Sequence, residues 1–528
     1  MFSYVYTGHA DGSSIIQELS FSNDHSSLIN DIMCSDRECQ PLRTLEEVQE
    51  WCPEKYKFER PANLQEHKFY HGSNVIVCHD MKGGYQEDRF VDGCSDSSAY
   101  RFYHWAYIDT FIYFSHSLMT IPPITWINAA HTNGVPILGT FIVEGDDGKA
   151  ICETIFSSEK IVNILVEQLT SIATTHGFDG WFINIENPVN ELNMPCLVNF
   201  LQRLKSDMSS KNPQSIVIWY DSLTIKGKLD WQNELNDENI EFFRKCDGIF
   251  LNYGWKDENL EKSAKFAQDR VRDVYVGVDV FGRGCYGGGG FNTSLAIEKI
   301  VFHSFSIALF APGWVHEVMG GENFEKNQID FWRKLQLPIR HVPKLLPFET
   351  NFCQGFGNSL YKDGRKIDPN PWFNLSRCDS QTRNYHFDEV HVAEAFNGGS
   401  CLLIRDFDEP ILSCCFDLSQ TSIDISLTYK VAQDSPQNIP LLVKMRTTDD
   451  LENLSENQLH SKRIYPSFQW FAGADTCNGW ILAVYQISRF DDFIFLYSIQ
   501  LDLDQEFKKK DILLGSLKIS PWNENRLV

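Results

Sequence analysis

From about residue 70 the chain alternates short apolar runs with polar, helix-length stretches. The runs fall at residues 74–79, 106–115, 135–142, 180–186, 215–221, 248–253, 274–281 and 306–312. Near-continuous apolar runs of this length predict strands buried on both faces, as in a parallel sheet. Eight strand–helix units over about 275 residues match the size of a (β/α)8 barrel. Two of the intervening stretches carry helical spacing. Ile161, Ile164, Leu165, Leu169 and Ile172 share one face, with Ser157 or Ser158 to cap its start and Gly177 to stop it. Leu197, Phe200, Leu201 and Leu204 repeat the pattern behind Pro195 in a first turn.

Past residue 345 the texture changes. Segments 390–392, 401–405, 423–429, 441–446, 480–487 and 493–503 read as short strands, with Asn397-Gly398-Gly399 and Asp449-Asp450 as turns between them. One or two β-sandwich-like units are expected there. Residues 1–69 have mixed polarity and weak periodicity, with Trp51-Cys52-Pro53 as a packing point. The expected organisation is α/β: an N-terminal extension (1–69) packing on a (β/α)8 barrel (70–345), then a β-rich sandwich-like region (346–528).

Composition narrows the function classes. Hydrophobic residues make up 43% of the chain, enough for real cores. The aromatic share of 13% suits sugar-binding walls and sandwich cores alike. A net charge of −24 without a basic stripe argues against nucleic acid. The fifteen cysteines show no zinc-type spacing, so free thiols and no bound metal are expected. The first residues lack a signal-peptide pattern, and no run of about 18 apolar residues offers a membrane span. A reduced compartment without membrane attachment, the cytosol, is therefore expected. The Asn-x-Ser/Thr sequons at Asn292, Asn374 and Asn453 would be silent there.

Barrel chemistry gathers at the carboxyl ends of the strands. The fourth run, Trp181-Phe182-Ile183-Asn184-Ile185-Glu186-Asn187, turns polar at that end. Residues two apart on a strand project the same way, so Asn184 and Glu186 form an amide–carboxyl pair. A glycosidic oxygen leaves only when protonated, and a partly dehydrated Glu186 could hold that proton. An ordinary retaining enzyme needs a second carboxylate about 5 Å away. Here an amide stands instead. It can hydrogen-bond a substrate's 2-acetamido group and let the sugar act as its own nucleophile, through an oxazoline.

The stretch from Gly177 to Asn187 resembles the catalytic strand of the endo-β-N-acetylglucosaminidases of glycoside hydrolase family 85. So do His104-Trp-Ala-Tyr-Ile-Asp-Thr-Phe-Ile-Tyr-Phe-Ser-His116, Ile121-Pro-Pro123 and Trp126-Ile-Asn-Ala-Ala-His131. Trp219-Tyr-Asp-Ser222, Leu251-Asn-Tyr-Gly-Trp255, Gly277-Val-Asp-Val-Phe-Gly-Arg-Gly284 and Ala311-Pro-Gly-Trp-Val-His-Glu317 continue the likeness in the family's order, over roughly residues 70–320. The resemblance implies Glu186 as general acid/base, Asn184 as the residue orienting the acetamido group, and Tyr220 as a hydroxyl near the oxazoline. It implies Trp255 as a sugar-stacking residue, with Trp219, Asn252, Phe281 and Trp314 as further substrate-binding positions. Phe281 stands where the family usually has Trp. The implied substrates are high-mannose N-glycans, free oligosaccharides and glycoproteins, cut within the chitobiose core, with transfer to an acceptor sugar as a secondary activity. No cofactor is implied.

Other motifs have plainer readings. Gly282-Arg-Gly-Cys-Tyr-Gly287 has dinucleotide-loop spacing, but Gly288-Gly289-Gly290 delay the following helix, and a flexible substrate loop is the better expectation. Asp179 is expected to shape the turn into the fourth strand by accepting backbone hydrogen bonds. His104, His116 and His131 read as packed or hydrogen-bonded, and Ser359 lacks a nucleophile's context. The competing functions are a non-catalytic glycan-binding barrel and a chitinase-like hydrolase. The latter would carry Asp where Asn184 stands.

Overall fold

In the computed structural model the eight apolar runs become eight parallel strands that close on one another. They are β1 (Val75–His79), β2 (Thr110–Tyr113), β3 (Ile137–Val143), β4 (Gly180–Ile185), β5 (Ile216–Tyr220), β6 (Gly248–Leu251), β7 (Val274–Asp279) and β8 (Ser306–Phe310). β1 pairs with both β2 and β8, and β2 reaches β3 through Phe111 opposite Ile137 and Ile112 opposite Leu138, which closes the barrel. The structure describes residues 37–55, 59–66, 70, 72–381, 389–405, 409–431, 438–446, 459–471, 478–488, 494–503 and 511–522.

The barrel interior is a packed core. Ile76, Ile112, Leu138, Phe182, Ile218 and Phe250 belong to one buried cluster, with Tyr220 and Tyr275 in it as well. Every residue of β1 to β4 is buried, as strands sheathed on both faces require. β4 begins at Gly180 for a steric reason. Its φ is +155°, and a Cβ there would stand 1.9 Å from the carbonyl oxygen of Ile216 on β5.

Helices α1 (Ile124–Thr132), α2 (Gly148–Phe156), α3 (Glu159–His176), α4 (Met194–Lys211), α5 (Ile240–Lys245), α6 (Asp257–Ala267), α7 (Thr293–Phe302) and α8 (Phe324–Leu335) surround it. α4 buries Leu197, Phe200, Leu201 and Leu204, as its spacing predicts. α3 ends at Gly177 in a left-handed cap (φ +77°). Its buried stripe is turned slightly from the expected one: Val162, Leu165, Val166, Leu169 and Ile172 are buried, while Ile161 and Ile164 are half-buried. Ser158 takes the N-cap position, but its hydroxyl caps nothing.

The described residues divide into two compact units: 38–89 with 104–341, and 37, 90–103 and those from 342 onward. The excursion 90–103 thus groups with the C-terminal strands rather than the barrel. It is held there by Cys94 opposite Phe373. Residues 1–36 of the expected extension lie outside the described residues. In the barrel unit, Leu42 bridges Met119, and the Gln168 amide of α3 donates to the carbonyls of Gln49 and Trp51.

The second unit is antiparallel. One sheet runs Glu389–His391, Cys401–Ile404, Ile512–Pro521, Ile423–Val431, Ile481–Ile487, Phe468–Phe471, with Phe348–Thr350 added to Ile512–Pro521. Another runs Leu412–Asp417, Phe495–Leu501, Leu441–Arg446, Leu459–Ile464. Phe348 of the first meets Phe416 of the second at 5.8 Å between ring centroids. The expected strands are present. The long central strand Ile512–Pro521 is not evident from the sequence, because Gly515 interrupts its apolar run. A Cβ there would lie 2.4 Å from Phe396 and 2.6 Å from Trp480. The expected turn at Asp449-Asp450 lies outside the described residues.

Candidate active site

Alternation along β4 decides what faces the barrel axis. Phe182 points into the interior cluster, whereas the Trp181 indole nitrogen donates outward to the Leu169 carbonyl of α3. Asn184 and Glu186 share the Phe182 side, one and two steps nearer the mouth. Asn184 is buried and Glu186 half-buried. The Asn184 amide nitrogen donates to Glu186 Oε1 at 3.4 Å, and the amide oxygen has no hydrogen-bond partner among the described residues. A buried acceptor left open at a barrel mouth is a place for a ligand's donor.

Burial pushes the Glu186 carboxyl above the ordinary carboxylate range. The Asn184 hydrogen bond opposes this, Glu144 adds to it and His116 counters it. Tyr220, at the end of β5, faces the interior, and its hydroxyl donates to Asn252 Oδ1 at 2.9 Å. Burial, then the nearby Glu186 charge, raises its pKa well above 10, so it remains a phenol.

Behind Tyr220 lies a polar frame. Asp221, fully buried, accepts from the Asn239 side chain at 2.9 Å and the Asn233 backbone at 2.8 Å. Asn233 in turn accepts from the Asn252 side chain at 2.8 Å. Burial pushes Asp221 up to about 7, while these donors pull it back. Tyr253, the next residue on that loop, sits with its ring centroid 6.4 Å from that of Tyr220.

The aromatic positions separate. Trp219 is fully buried and stacks on Phe242 of α5 at 4.6 Å, so it belongs to the layer between barrel and helices, not to the mouth. The reason is strand parity, since Tyr220 beside it points inward. Trp255 is only 2% exposed; its indole nitrogen donates to the Gly277 carbonyl at 2.7 Å, and its face is covered by the Tyr286 ring at 5.2 Å and 7°. Tyr286 is the partly exposed member of that pair. Phe281 is half-buried beneath the Arg283 guanidinium at 5.2 Å. Trp314 is half-buried against Phe291 and Phe331. Asp279 organises the 281–290 loop: it accepts from the backbones of Phe281 and Arg283 and from the Arg283 guanidinium.

Sequence reasoning missed Asp80, Glu144, Tyr253 and Tyr286; it read His116 as packed or hydrogen-bonded, and the structure shows it hydrogen-bonded, to Glu144. Asp80, His116 and Glu144 each stand just past the end of β1, β2 or β3, which was the available signal. Asp179 lies at the opposite end of β4. It accepts from the Ile137 backbone at 2.9 Å and from His131 Nε2 at 2.8 Å.

Fold and site define a (β/α)8 barrel whose polar chemistry is gathered at the carboxyl ends of its strands, the arrangement of barrel enzymes. Residues 85–360 match the model of glycosyl hydrolase family 85, and the chain belongs to that family. It is 46% identical to the cytosolic endo-β-N-acetylglucosaminidase of Danio rerio, over 63% of this chain and 47% of that one. It is 38% identical to cytosolic endo-β-N-acetylglucosaminidase 2 of Arabidopsis thaliana (70% and 58%) and 36% identical to the Homo sapiens protein of the same description (85% and 65%). The chain spans about half the length of most of the relatives it matches. The fold agrees with the glycoside hydrolase domain of Endo-D from Streptococcus pneumoniae R6, with a TM-score of 0.68 at 18% identity over 92% of this chain and 83% of that one. Among the described residues no helix is long and apolar enough to cross a membrane.

Proposed function

We propose that the chain is an endo-acting, retaining glycoside hydrolase that cleaves the GlcNAc-β1,4-GlcNAc core of N-glycans by substrate-assisted catalysis. The unpaired Asn184 amide oxygen, two residues from a carboxyl raised by burial, carries the reading. Glu186 protonates the departing glycosidic oxygen. The substrate's acetamido oxygen attacks the anomeric carbon while its N–H donates to Asn184 Oδ1, forming an oxazoline. Glu186, now ionised, takes a proton from water as that water opens the ring, and retention follows from two inversions. A sugar hydroxyl in place of water gives transglycosylation. Tyr220 supplies a phenolic hydroxyl beside the ring, and Tyr286, backed by Trp255, supplies the stacking face. The relatives' shared description as cytosolic endo-β-N-acetylglucosaminidases supports an endo-acting cut at N-acetylglucosamine and the cytosol as location.

The test is incubation with a labelled high-mannose glycopeptide. Product that keeps one N-acetylglucosamine on the peptide is expected. Intact, bound glycopeptide would point to a lectin, and cleavage of chitin oligomers alone to a chitinase.

A further inference from the structure

The first four barrel strands end in Asp80, His116, Glu144 and Glu186, in that order around the mouth. His116 stands between the acids. Its Nδ1 is 2.8 Å from Glu144 Oε1, and its Nε2 is 4.0 Å from Asp80 Oδ2. A ring nitrogen facing a carboxylate at hydrogen-bond distance is the donor, so Nδ1 carries a proton. A second carboxylate beside Nε2 favours a proton there too. Resting on the proposed role of Glu186, we propose that His116 is a positioning residue: held by Glu144, its imidazolium offsets the acidic mouth and trims the pH range, set chiefly by burial, over which Glu186 stays protonated.

The charges around this group account for the balance. Glu186 faces Glu144 and His116 as charged neighbours, with Tyr220 and Tyr253 as buried phenols. His116 faces Glu144, Asp80 and Glu186; the Glu144 hydrogen bond raises its pKa, burial opposes, and the three acids add to the rise. Asp80 also faces Arg283, whose guanidinium is occupied by Asp279 at 2.8 Å, and Glu317, which accepts from the Lys82 backbone. Arg283 acts on Asp80 and Glu317 and Lys82 on Glu317, whereas His116 is the cation whose charge bears on Glu186. Glu144 and His116 act on Glu186 with opposite sign, and this separates a charge effect from a loss of structure.

The experiment is the pH profile of kcat/KM on the labelled high-mannose glycopeptide, whose basic limb reports the general acid of the free enzyme. His116→Gln removes a cation and is expected to move that limb upward by about 0.5–1 pH unit, and Glu144→Gln to move it downward by a similar amount. His116→Arg, which keeps the charge, is expected to return the limb toward its natural position. Limbs that stay in place, or that move the same way in both neutral variants, overturn the proposal, as does a failure of Arg to restore the limb. Glu186→Gln separates the two readings. If it remains active, the acid/base assignment itself fails; if it is inactive while the His116→Gln limb stays in place, only the role of His116 falls.

Discussion

The amide of Asn184 and the carboxyl of Glu186 touch along one face of β4, 3.4 Å apart, with the amide oxygen left open. The contact divides the chemistry between them, with the acid handling a proton and the amide holding a substrate N–H. The consequences can be measured one residue at a time.

Replacing Glu186 with Gln keeps shape and removes the transferable proton. Release of labelled oligosaccharide from a high-mannose glycopeptide should fall by roughly 10²–10⁴-fold, the usual contribution of general acid–base catalysis. A variant within tenfold of the natural rate would exclude Glu186 as the proton donor.

Asn184→Ala should stop hydrolysis of the natural glycan, since nothing then orients the acetamido group, yet it should still consume a preformed sugar oxazoline. Near-normal hydrolysis of natural glycan by this variant would be fatal to the substrate-assisted mechanism.

Asp221 holds the frame behind Tyr220. Its folded pKa of about 7 lies above an unfolded value near 4, so the folded state binds the proton more tightly. Its stabilising contribution is therefore complete below about pH 4 and is lost as pH rises through about 7. Denaturation midpoints measured from pH 4 to 8 should decline for the natural chain, and Asp221→Asn should flatten part of that slope. The same variant faces amide donors with a donor of its own, and kcat should drop about tenfold as Tyr220 loses its support. An unchanged slope would show that the carboxyl does not titrate there.

At the other end of β4, both ring nitrogens of His131 face acceptors, the Ala62 carbonyl at 2.7 Å and Asp179 at 2.8 Å. Burial works to lower its pKa, but the Asp179 hydrogen bond and charge, with the Ala62 carbonyl, leave it raised above 6.5. A histidine with a raised folded pKa stabilises fully below its unfolded pKa, near 6.5, and that contribution fades as pH climbs through the folded value. His131→Ala strands a buried carboxylate and should cost on the order of 3–5 kcal/mol at pH 6, with a smaller loss at pH 9. Urea titrations at the two pH values decide it; equal losses would exclude the imidazolium.

Trp219 and Tyr286 should behave oppositely. Trp219→Ala empties a packed layer and should lower stability by about 3–5 kcal/mol. Tyr286→Ala exposes the Trp255 face and should raise KM severalfold, with stability changed by less than about 1 kcal/mol. A KM unaffected by loss of Tyr286 would remove it from the substrate path.

The amino-acid sequence alone determined the barrel, because strands sheathed on both faces must be apolar throughout, and eight such runs leave few alternatives. It also determined the Asn184–Glu186 pair, because the period of a strand is two and both residues lie on one. The same parity, applied to β5, would have turned Trp219 outward. Only the tertiary structure decided what crosses between strands: His116 reaching Glu144, Tyr220 reaching Asn252, Tyr286 covering Trp255, and residues 90–103 joining the C-terminal sheets. These contacts depend on barrel closure and loop paths, which bring together side chains tens of residues apart whose types carry no periodic mark. The strand Ile512–Pro521 was hidden for a related reason: its glycine answers to Trp480 and Phe396, residues distant in the chain, and not to any local preference.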